Sequence, residues 1–132
     1  MFVDASALCA VLLREPGYAR FERALVEAHE ALVSPMSVWE TVRAVARVRK
    51  VSIATARADV AEYIDGLHAG SVAIGEEERE AALDALERFG KGQHPAKLNM
   101  GDCFAYACAR THDLPLLFTG KDFSQTDIQS AV

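Results

Sequence analysis

The feature that most restricts the fold of this chain is the alternation of short apolar runs with longer segments of helical periodicity. The apolar runs lie at residues 1–3, 31–33, 71–74 and 114–118. Strands that alternate with helices pair in parallel, because each intervening helix returns the chain to the same end of the sheet. We therefore expect an α/β fold, with a central parallel sheet of four to five short strands and helices on both faces.

Six helical segments accompany these strands. They begin near Ala5, Tyr18, Ser37, Ser52, Glu76 and Met100. Pro35 is expected to end the second strand, which makes Ser37 the N-cap of the third helix. The third and fourth helices are expected to form a hairpin. Residues 90–97 read as a polar loop, and the helix at 100–111 is apolar almost all round, which predicts a central position.

Side-chain patterns within the helices predict which residues enter the core. Helical spacing places Leu83, Leu86 and Phe89 on the packed face of the fifth helix. Trp39 could stack on a nucleic-acid base, but its position beside a valine-rich helix face favours the core.

Length and composition predict one cytoplasmic domain. With 132 residues, the chain can bury about two thirds of its unfolded surface. No apolar run approaches the length of a membrane span and no signal-peptide pattern is present, so we expect no membrane segment. Three cysteines without C-x-x-C spacing favour reduced thiols over disulfides or a zinc site. The net charge of −5 argues only weakly against nucleic acid, because bound metal would offset several acids.

Four acidic residues stand where a parallel sheet brings chain turns together. Asp4 and Asp122 follow predicted strand ends, and Glu40 and Asp102 lie in the first turns of predicted helices. These places converge on the ligand-binding edge of an α/β sheet. Like charges about 4 Å apart repel by roughly 4 kcal/mol at an effective dielectric near 20, so clustered carboxylates need a cation. We expect Mg²⁺ or Mn²⁺. Ser6 could support the site by holding a metal-bound water or a phosphate oxygen, although helix capping is favoured as its single role.

Each acid also has an ordinary structural explanation, which the sequence leaves open. Asp4 could cap the first helix, Asp122 could be a turn residue, and Asp102 could stabilise the first turn of its helix. The segment Ser37-Val38-Trp39-Glu40 matches a capping box, in which the glutamate would bond to the cap amide.

Basic residues near the acids are candidates for contact with phosphates. A solvated helix face or an ordinary surface loop explains them equally well. The candidates are Arg43, Arg47 and Lys50, which follow Glu40 at helical spacing, and Lys91, His94 and Lys97 in the loop at 90–97.

Five segments form an ordered set along the chain. They are Val3-Asp4-Ala5-Ser6-Ala7, Trp39-Glu40-Thr41, residues 90–96, Leu98-Asn99-Met100-Gly101-Asp102 continuing to Ala107, and residues 116–128. This set resembles the PIN-domain ribonucleases, and within them the VapC toxins of bacterial toxin–antitoxin pairs. The resemblance runs nearly end to end, which predicts a single PIN-like domain over residues 1–132.

The resemblance implies a divalent-metal-dependent endoribonuclease toxin. It assigns the catalytic and metal-site roles to Asp4, Glu40, Asp102 and Asp122, with Asp127 in an outer shell. Metal would activate water for attack on phosphorus, without a covalent intermediate. The resemblance also implies a VapB-type antitoxin whose tail occupies an apolar groove on the first, third and fourth helices, and a toxin homodimer.

Two other functions remain open at this point. A haloacid-dehalogenase-type magnesium phosphatase also carries Asp after its first strand, but it requires a second Asp where this chain has Ser6. A non-catalytic binding module would use the acids only as helix caps. Metal binding would separate a nuclease from such a module.

Overall fold

A four-stranded parallel sheet lies at the centre of the computed structural model, which describes residues 1–132. Its strands are β1 (Phe2–Val3), β2 (Leu32–Val33), β3 (Gly70–Ser71) and β4 (Leu116–Leu117). Their order is β3-β2-β1-β4, and every neighbouring pair is parallel. The chain therefore winds outward from β1 in one direction and then crosses to the other side of β1. The predicted parallel α/β arrangement is confirmed.

Six α-helices surround the sheet. They are α1 (Ala5–Leu12), α2 (Tyr18–Glu27), α3 (Pro35–Arg49), α4 (Ile53–Gly66), α5 (Glu76–Phe89) and α6 (Met100–Thr111), and a 3-10 helix follows at Phe123–Gln125. α3 packs on α4 as the predicted hairpin, and α5 packs along α6. None of these helices combines the length and the apolar character needed to cross a bilayer.

Neighbouring residues of each central strand enter different cores. Phe2 and Leu116 pack with α5 and α6, whereas Val3 and Leu117 pack with α1 and α2. Successive side chains of a strand point to opposite faces, so two-residue strands are sufficient to anchor both layers. Helices cover both faces of the sheet, as predicted.

The packed face of α5 differs from the prediction. Phe89 is buried as expected, but Leu83 is 53% exposed and Leu86 is 45% exposed, and the buried positions are Ala82 and Ala85. The predicted leucine stripe and the buried alanine stripe both have helical spacing. They are offset by one residue, or about 100° around the helix axis. The small alanines let α5 approach α6 closely, and α6 has the predicted central position with most of its residues buried.

The start of α3 also corrects the sequence interpretation. Pro35 does not end a strand but opens the helix, and Ser34 rather than Ser37 is the N-cap. The Ser37 N–H donates to Ser34 Oγ at 3.2 Å, and the Ser34 N–H donates to Ser37 Oγ at 2.9 Å. Proline is favoured at the first helical position because its missing N–H would be unpaired there. Glu40 therefore lies in the second turn and has no part in the cap.

Candidate active site

A cavity of about 270 Å³ opens where β1 ends. Carboxylates of Asp4, Glu40 and Asp102 line it, together with Ala5, Ser6, Cys9, Arg43, Ala44 and Arg47. Asp4 directly follows β1, which lies between β2 and β4. Strand order reverses beside β1, and ligands of open α/β sheets bind at this kind of position. Three of the four predicted acids therefore meet in one cavity.

Asp4 is held by the start of α1. Its Oδ2 accepts the Ser6 N–H at 2.9 Å and the Ser6 hydroxyl at 2.5 Å, so the predicted helix cap is present. Ser6 Oγ in turn accepts the Thr119 N–H at 3.0 Å, which ties the segment after β4 to the same carboxylate. Asp4 is only 4% exposed. Burial raises the pKa of Asp4, and the hydrogen bonds from Ser6 oppose that shift.

Asp102 occupies the first turn of α6 and takes part in a capping box. The Asp102 N–H donates to Asn99 Oδ1 at 3.0 Å, and the Asn99 N–H donates to Asp102 Oδ2 at 2.9 Å. Burial raises the pKa of Asp102 to about 6, helped by the charges of Asp4 and Asp122 and opposed by the bond from Asn99. The side chain thus caps the helix and also faces the cavity.

Glu40 reaches the site because a glycine faces it. A Cβ added at Gly101 would overlap the Glu40 carboxylate, so this carboxylate rests against the backbone of α6. Burial raises the pKa of Glu40, followed by the charges of Asp4 and Asp102, while Arg43 lowers it. The three acids therefore influence one another electrostatically.

Comparison with known proteins decides the family. A family model described as the PIN domain matches residues 1–129.

The chain belongs to the PIN-domain family.

Curated relatives of this PIN-domain chain are VapC proteins. A VapC ribonuclease of Rhizobium meliloti is 42% identical over 96% of this chain and 98% of its own length. Ribonuclease VapC30 of Mycobacterium tuberculosis is 40% identical over 97% of this chain and 95% of its own length. The match places the chain in the VapC group, and not with the haloacid-dehalogenase phosphatases.

Solved structures support the same fold. VapC20 of Mycobacterium tuberculosis, described as a toxin that cleaves the sarcin–ricin loop, aligns with a TM-score of 0.75 and 18% identity over 96% of this chain and 95% of that chain. A toxin–antitoxin complex from Klebsiella pneumoniae aligns with a TM-score of 0.67 and 16% identity over 96% of this chain and 92% of that chain.

Two further acids of this PIN domain lie outside the cavity lining. Asp122 is exposed at the start of the 3-10 helix, although its charge contributes to the raised pKa of Asp102. Asp127 accepts the Tyr106 hydroxyl at 2.6 Å and an Arg88 N–H at 2.7 Å, and these bonds lower its pKa. Asp127 thus joins the C-terminal segment to α5 and α6. Site roles for both residues stay predictions.

The basic candidates separate into two groups. Arg43 and Arg47 line the cavity, one helical turn apart on α3. Lys91 and Lys97 are exposed in the loop after α5, and His94 accepts a backbone N–H within that loop at 3.1 Å. None of these three loop residues lines the cavity. Their contact with substrate stays a prediction.

Cys9 lines the cavity but is a poor nucleophile. Burial raises the pKa of its thiol to about 11, and the negative charges of Glu15, Asp4 and Glu40 add to the shift. A thiol with this pKa remains protonated near neutral pH. The Cys9 thiol is therefore not activated as a nucleophile.

The donor set fits a hard divalent cation that keeps much of its water. No group of three or more acidic, histidine or cysteine side chains has the geometry to hold an ion unaided. Mg²⁺ typically takes one or two carboxylates and completes its octahedron with water or substrate oxygens. Asp4 and Asp102 can supply those two carboxylates, and no nitrogen or thiolate favours a softer metal.

Sequence reasoning missed two features of this site. Trp39 is 58% exposed beside the cavity, so its expected core position is wrong. Gly101 was given no role of its own, although Asn-x-Gly-Asp at a helix start is a usable signal, since glycine is unfavourable within helices unless something needs the space.

Proposed function

We propose that this chain is a VapC-type toxin that hydrolyses RNA phosphodiester bonds at the cavity lined by Asp4, Glu40 and Asp102. The observation that carries the proposal is the convergence of these three carboxylates, with raised pKa values, on one open cavity. Carboxylates that lie close together in a partly buried site repel one another when they are ionised. A bound divalent cation would offset this repulsion. Membership of the PIN-domain family and the VapC relatives support the same reaction.

The metal is Mg²⁺ or Mn²⁺, and Asp4 and Asp102 hold it. Bound there, a divalent cation supplies Lewis acidity at the phosphoryl group and favours ionisation of an attacking water. Glu40 is less buried than Asp4 and lies against α6, so it can orient a water or accept its proton. Asp122, which lies outside the cavity lining but whose charge acts on Asp102, completes the proposed set of four acids.

The other lining residues keep this arrangement rigid and admit the substrate. Ser6 fixes Asp4 through the short bond from its hydroxyl and is itself fixed by the Thr119 N–H. Arg43 and Arg47 add positive charge to the cavity lining, on the same helix as Glu40. A phosphodiester that enters the cavity can therefore contact cationic side chains beside the acids. No side chain forms a covalent bond with it.

A VapB-type antitoxin neutralises the toxin by covering the cavity. Exposed Val48, Val51 and Ile53 lie at the turn between α3 and α4, next to the helix that carries Arg43 and Glu40. An amphipathic antitoxin tail could bury these apolar side chains and extend a basic residue toward the acids. The position of these side chains supports that part of the expected antitoxin groove which α3 and α4 would form.

The toxin is also proposed to be a cytoplasmic homodimer built from single PIN domains over residues 1–132. An apolar hollow of about 350 Å³ on α5 and α6, lined by the exposed Leu83 and Leu86, supports self-association. Sedimentation of Leu83→Glu tests this arrangement. A monomeric variant beside a dimeric wild type is expected, whereas an unchanged dimer would assign the hollow to another use.

The deciding experiment for the reaction compares wild type with Asp4→Asn. After brief induction in cells, wild type is expected to generate new RNA 5′ ends that Asp4→Asn does not. Purified wild type is expected to cleave RNA with Mg²⁺ or Mn²⁺ and to stop when EDTA is added. Asparagine retains an oxygen to accept the bonds from Ser6, so the fold should remain. Absence of new ends, or equal cleavage by both proteins, would remove the ribonuclease assignment.

A further inference from the structure

The exposure of Trp39 needs an explanation. It is the only tryptophan of the chain, it is 58% exposed, and it directly precedes Glu40 on α3. Aromatic side chains of this size are highly buried on average, so a large exposed ring beside a catalytic cavity points to a binding surface.

An apolar hollow of about 400 Å³ lies beside this ring. Its lining consists of Pro35, Met36, Trp39, Ile74 and Met100. Met100 is 64% exposed and stands two residues before Asp102, as Trp39 stands one residue before Glu40. The hollow shares no lining residue with the acid-lined cavity, and the contact between Trp39 and Arg43, which lines that cavity, connects the two.

Positive charge follows the ring along α3. Trp39, Arg43 and Arg47 are spaced four residues apart, which puts them in one row on the helix. The Arg43 guanidinium carbon lies 5.6 Å from the Trp39 ring centroid, within the range of a cation–π contact. Both arginines line the acid cavity. This row therefore carries an aromatic ring followed by two guanidinium groups, which are suited to binding phosphates.

We propose that this row is a binding site for single-stranded RNA, in which a nucleobase next to the scissile phosphate stacks on Trp39 within the apolar hollow. The proposal rests on the proposed ribonuclease function and assigns Trp39 a role in positioning its substrate. Proteins that bind single strands combine aromatic stacking platforms with cationic groups for the backbone. A base still paired in a duplex cannot reach such a platform, so the site selects unpaired nucleotides.

The chemistry of the row favours RNA over an apolar protein partner. A protein surface covering the hollow and the adjoining row would also have to desolvate the two arginines and supply acids to pair with them. Single-stranded RNA matches the whole row, because its bases can stack on Trp39 while its phosphates bind the two arginines. Trp39 and the arginines are binding residues here, and the acids remain the groups that act on the phosphate.

Binding can be measured directly because Trp39 is the sole tryptophan. In a non-cleaving Asp4→Asn background with Mg²⁺ present, a mixed-sequence 12-nucleotide single-stranded RNA is expected to quench the tryptophan fluorescence saturably. The same sequence as a duplex should quench much less. Unchanged fluorescence at saturating single-stranded RNA, with binding verified by anisotropy of labelled RNA, would overturn the stacking proposal.

Variants then separate stacking from fold effects. By anisotropy, Trp39→Ala should bind the labelled single strand about ten-fold more weakly, and Trp39→Phe should recover part of the loss. Val26→Ala on α2, which removes an apolar side chain of 72% exposure outside the cavity, is the control and should bind as the background does. Equal affinity of Trp39→Ala and the control would refute the inference.

Kinetics distinguish failure of this inference from failure of the ribonuclease proposal. In the active protein, Trp39→Ala should raise KM with little change in kcat, because the ring binds substrate and transition state alike. If wild type cleaves RNA and Trp39→Ala has the same KM, the inference fails and the ribonuclease proposal stands. If RNA quenches the tryptophan fluorescence of the wild-type protein but is never cleaved, the ribonuclease proposal fails and the inference stands. A change of sedimentation in Trp39→Ala without a change in RNA affinity would assign the hollow to a second copy.

Discussion

At the scale of single residues, the start of α6 combines three tasks in four positions. Asn99 caps the helix, Gly101 leaves room for the Glu40 carboxylate, and Asp102 completes the capping box while facing the cavity. Structural and functional roles are therefore not alternatives for Asp102. The capping box fixes the backbone and one carboxylate oxygen, which holds the side chain in place for an ion.

Asp102→Asn should separate these two roles. Without metal, we expect a melting temperature equal to or above that of wild type, because repulsion from Asp4 and Asp122 is relieved and the amide oxygen still accepts the Asn99 N–H. With Mn²⁺ at 100 times its Kd, wild type should gain about 2.7 kcal/mol of stability, and the variant should gain far less. Thermal melting against MnCl₂ concentration measures both effects.

The control for this comparison is Asp84→Asn, which removes an exposed acid from α5. It should retain the full gain from Mn²⁺. An Asp102→Asn protein that gained as much as Asp84→Asn would show that the ion binds elsewhere. A variant already unfolded without metal would contradict the separation of cap and ligand.

Gly101→Ala should lower activity without lowering stability. The added methyl group would collide with the end of the Glu40 side chain, which can rotate away at little energetic cost. Alanine is favoured over glycine within a helix by up to about 1 kcal/mol, so the free energy of unfolding should stay level or rise. Displacement of Glu40 should reduce kcat about ten-fold or more. Urea denaturation tests the predicted free energy of unfolding, and RNA cleavage rates test the predicted loss of kcat.

Gly66→Ala is the matched control, since a Cβ at that helical glycine meets nothing within 4 Å. We expect unchanged kcat for Gly66→Ala. Equal activity of both variants would mean that the position of Glu40 against α6 is irrelevant to catalysis.

At the scale of helices and strands, periodicity predicted which elements exist but not which side of each helix is buried. The short apolar runs identified β1, β2 and β4, because strands covered on both faces of a parallel sheet are almost continuously apolar. β3 is Gly70–Ser71 and overlaps the predicted run at 71–74 only at Ser71. For α5, Leu83 and Leu86 have the right spacing yet lie outside, since close packing on α6 uses Ala82 and Ala85. Spacing alone cannot choose between two stripes one residue apart.

The candidate site could be predicted in part for a related reason. Asp4 follows a strand end, and Asp102 is fixed by a helix cap, so sequence rules located both. Glu40 was expected in the first turn of a helix capped by Ser37, but Ser34 caps α3 and Glu40 lies in the second turn. Asp122 lies in the irregular segment after β4, where no periodicity fixes the direction of a side chain.

Glu78 at the start of α5 should stabilise the protein in a pH-dependent way. Its carboxylate accepts the Gly75 N–H at 2.8 Å and the Thr111 hydroxyl at 3.0 Å, and chiefly the Gly75 bond lowers its pKa. A carboxyl whose pKa is lower in the folded state stabilises the fold above its unfolded pKa, and the contribution is lost as pH falls through the folded pKa. Glu78→Gln should therefore cost about 1 kcal/mol at pH 7.

Urea denaturation of Glu78→Gln and wild type from pH 7 down to pH 3 measures this loss. The difference between the two proteins should narrow below about pH 4, as the wild-type carboxyl becomes protonated. Glu77→Gln, at the exposed neighbouring position, should match wild type throughout. A constant difference across the range would assign the effect of Glu78 to packing rather than charge.

At the scale of the whole molecule, the net charge of −5 conceals a separation of charges. Glu78, in the acidic first turn of α5, contacts Thr111 at the C-terminal end of α6. Nine residues of helix, or about 14 Å, separate Thr111 from Asp102. The acidic turn therefore lies at the far end of α6 from the cavity, whose wall carries Arg43 and Arg47. Polyanion binding depends on this local charge, screened beyond about 10 Å at 0.1 M salt.

The salt dependence of RNA binding should count the cationic groups that contact phosphates. For single strands, the logarithm of affinity falls with the logarithm of salt concentration with a slope of about −0.7 per contact. In the non-cleaving background, Arg43 and Arg47 alone predict a slope of about −1.4, and contacts from Lys91 and Lys97 would steepen it to about −2.8. Arg43→Ala should reduce the magnitude of the slope by about 0.7, while Arg57→Ala on the exposed surface of α4 should leave it unchanged.

Anisotropy titrations between 50 and 200 mM KCl at fixed Mg²⁺, about the range over which such effects are large, measure the slope. A slope near zero would mean that stacking rather than phosphate contact holds the strand, and an equal change in both variants would mean that the row on α3 has no special part in binding.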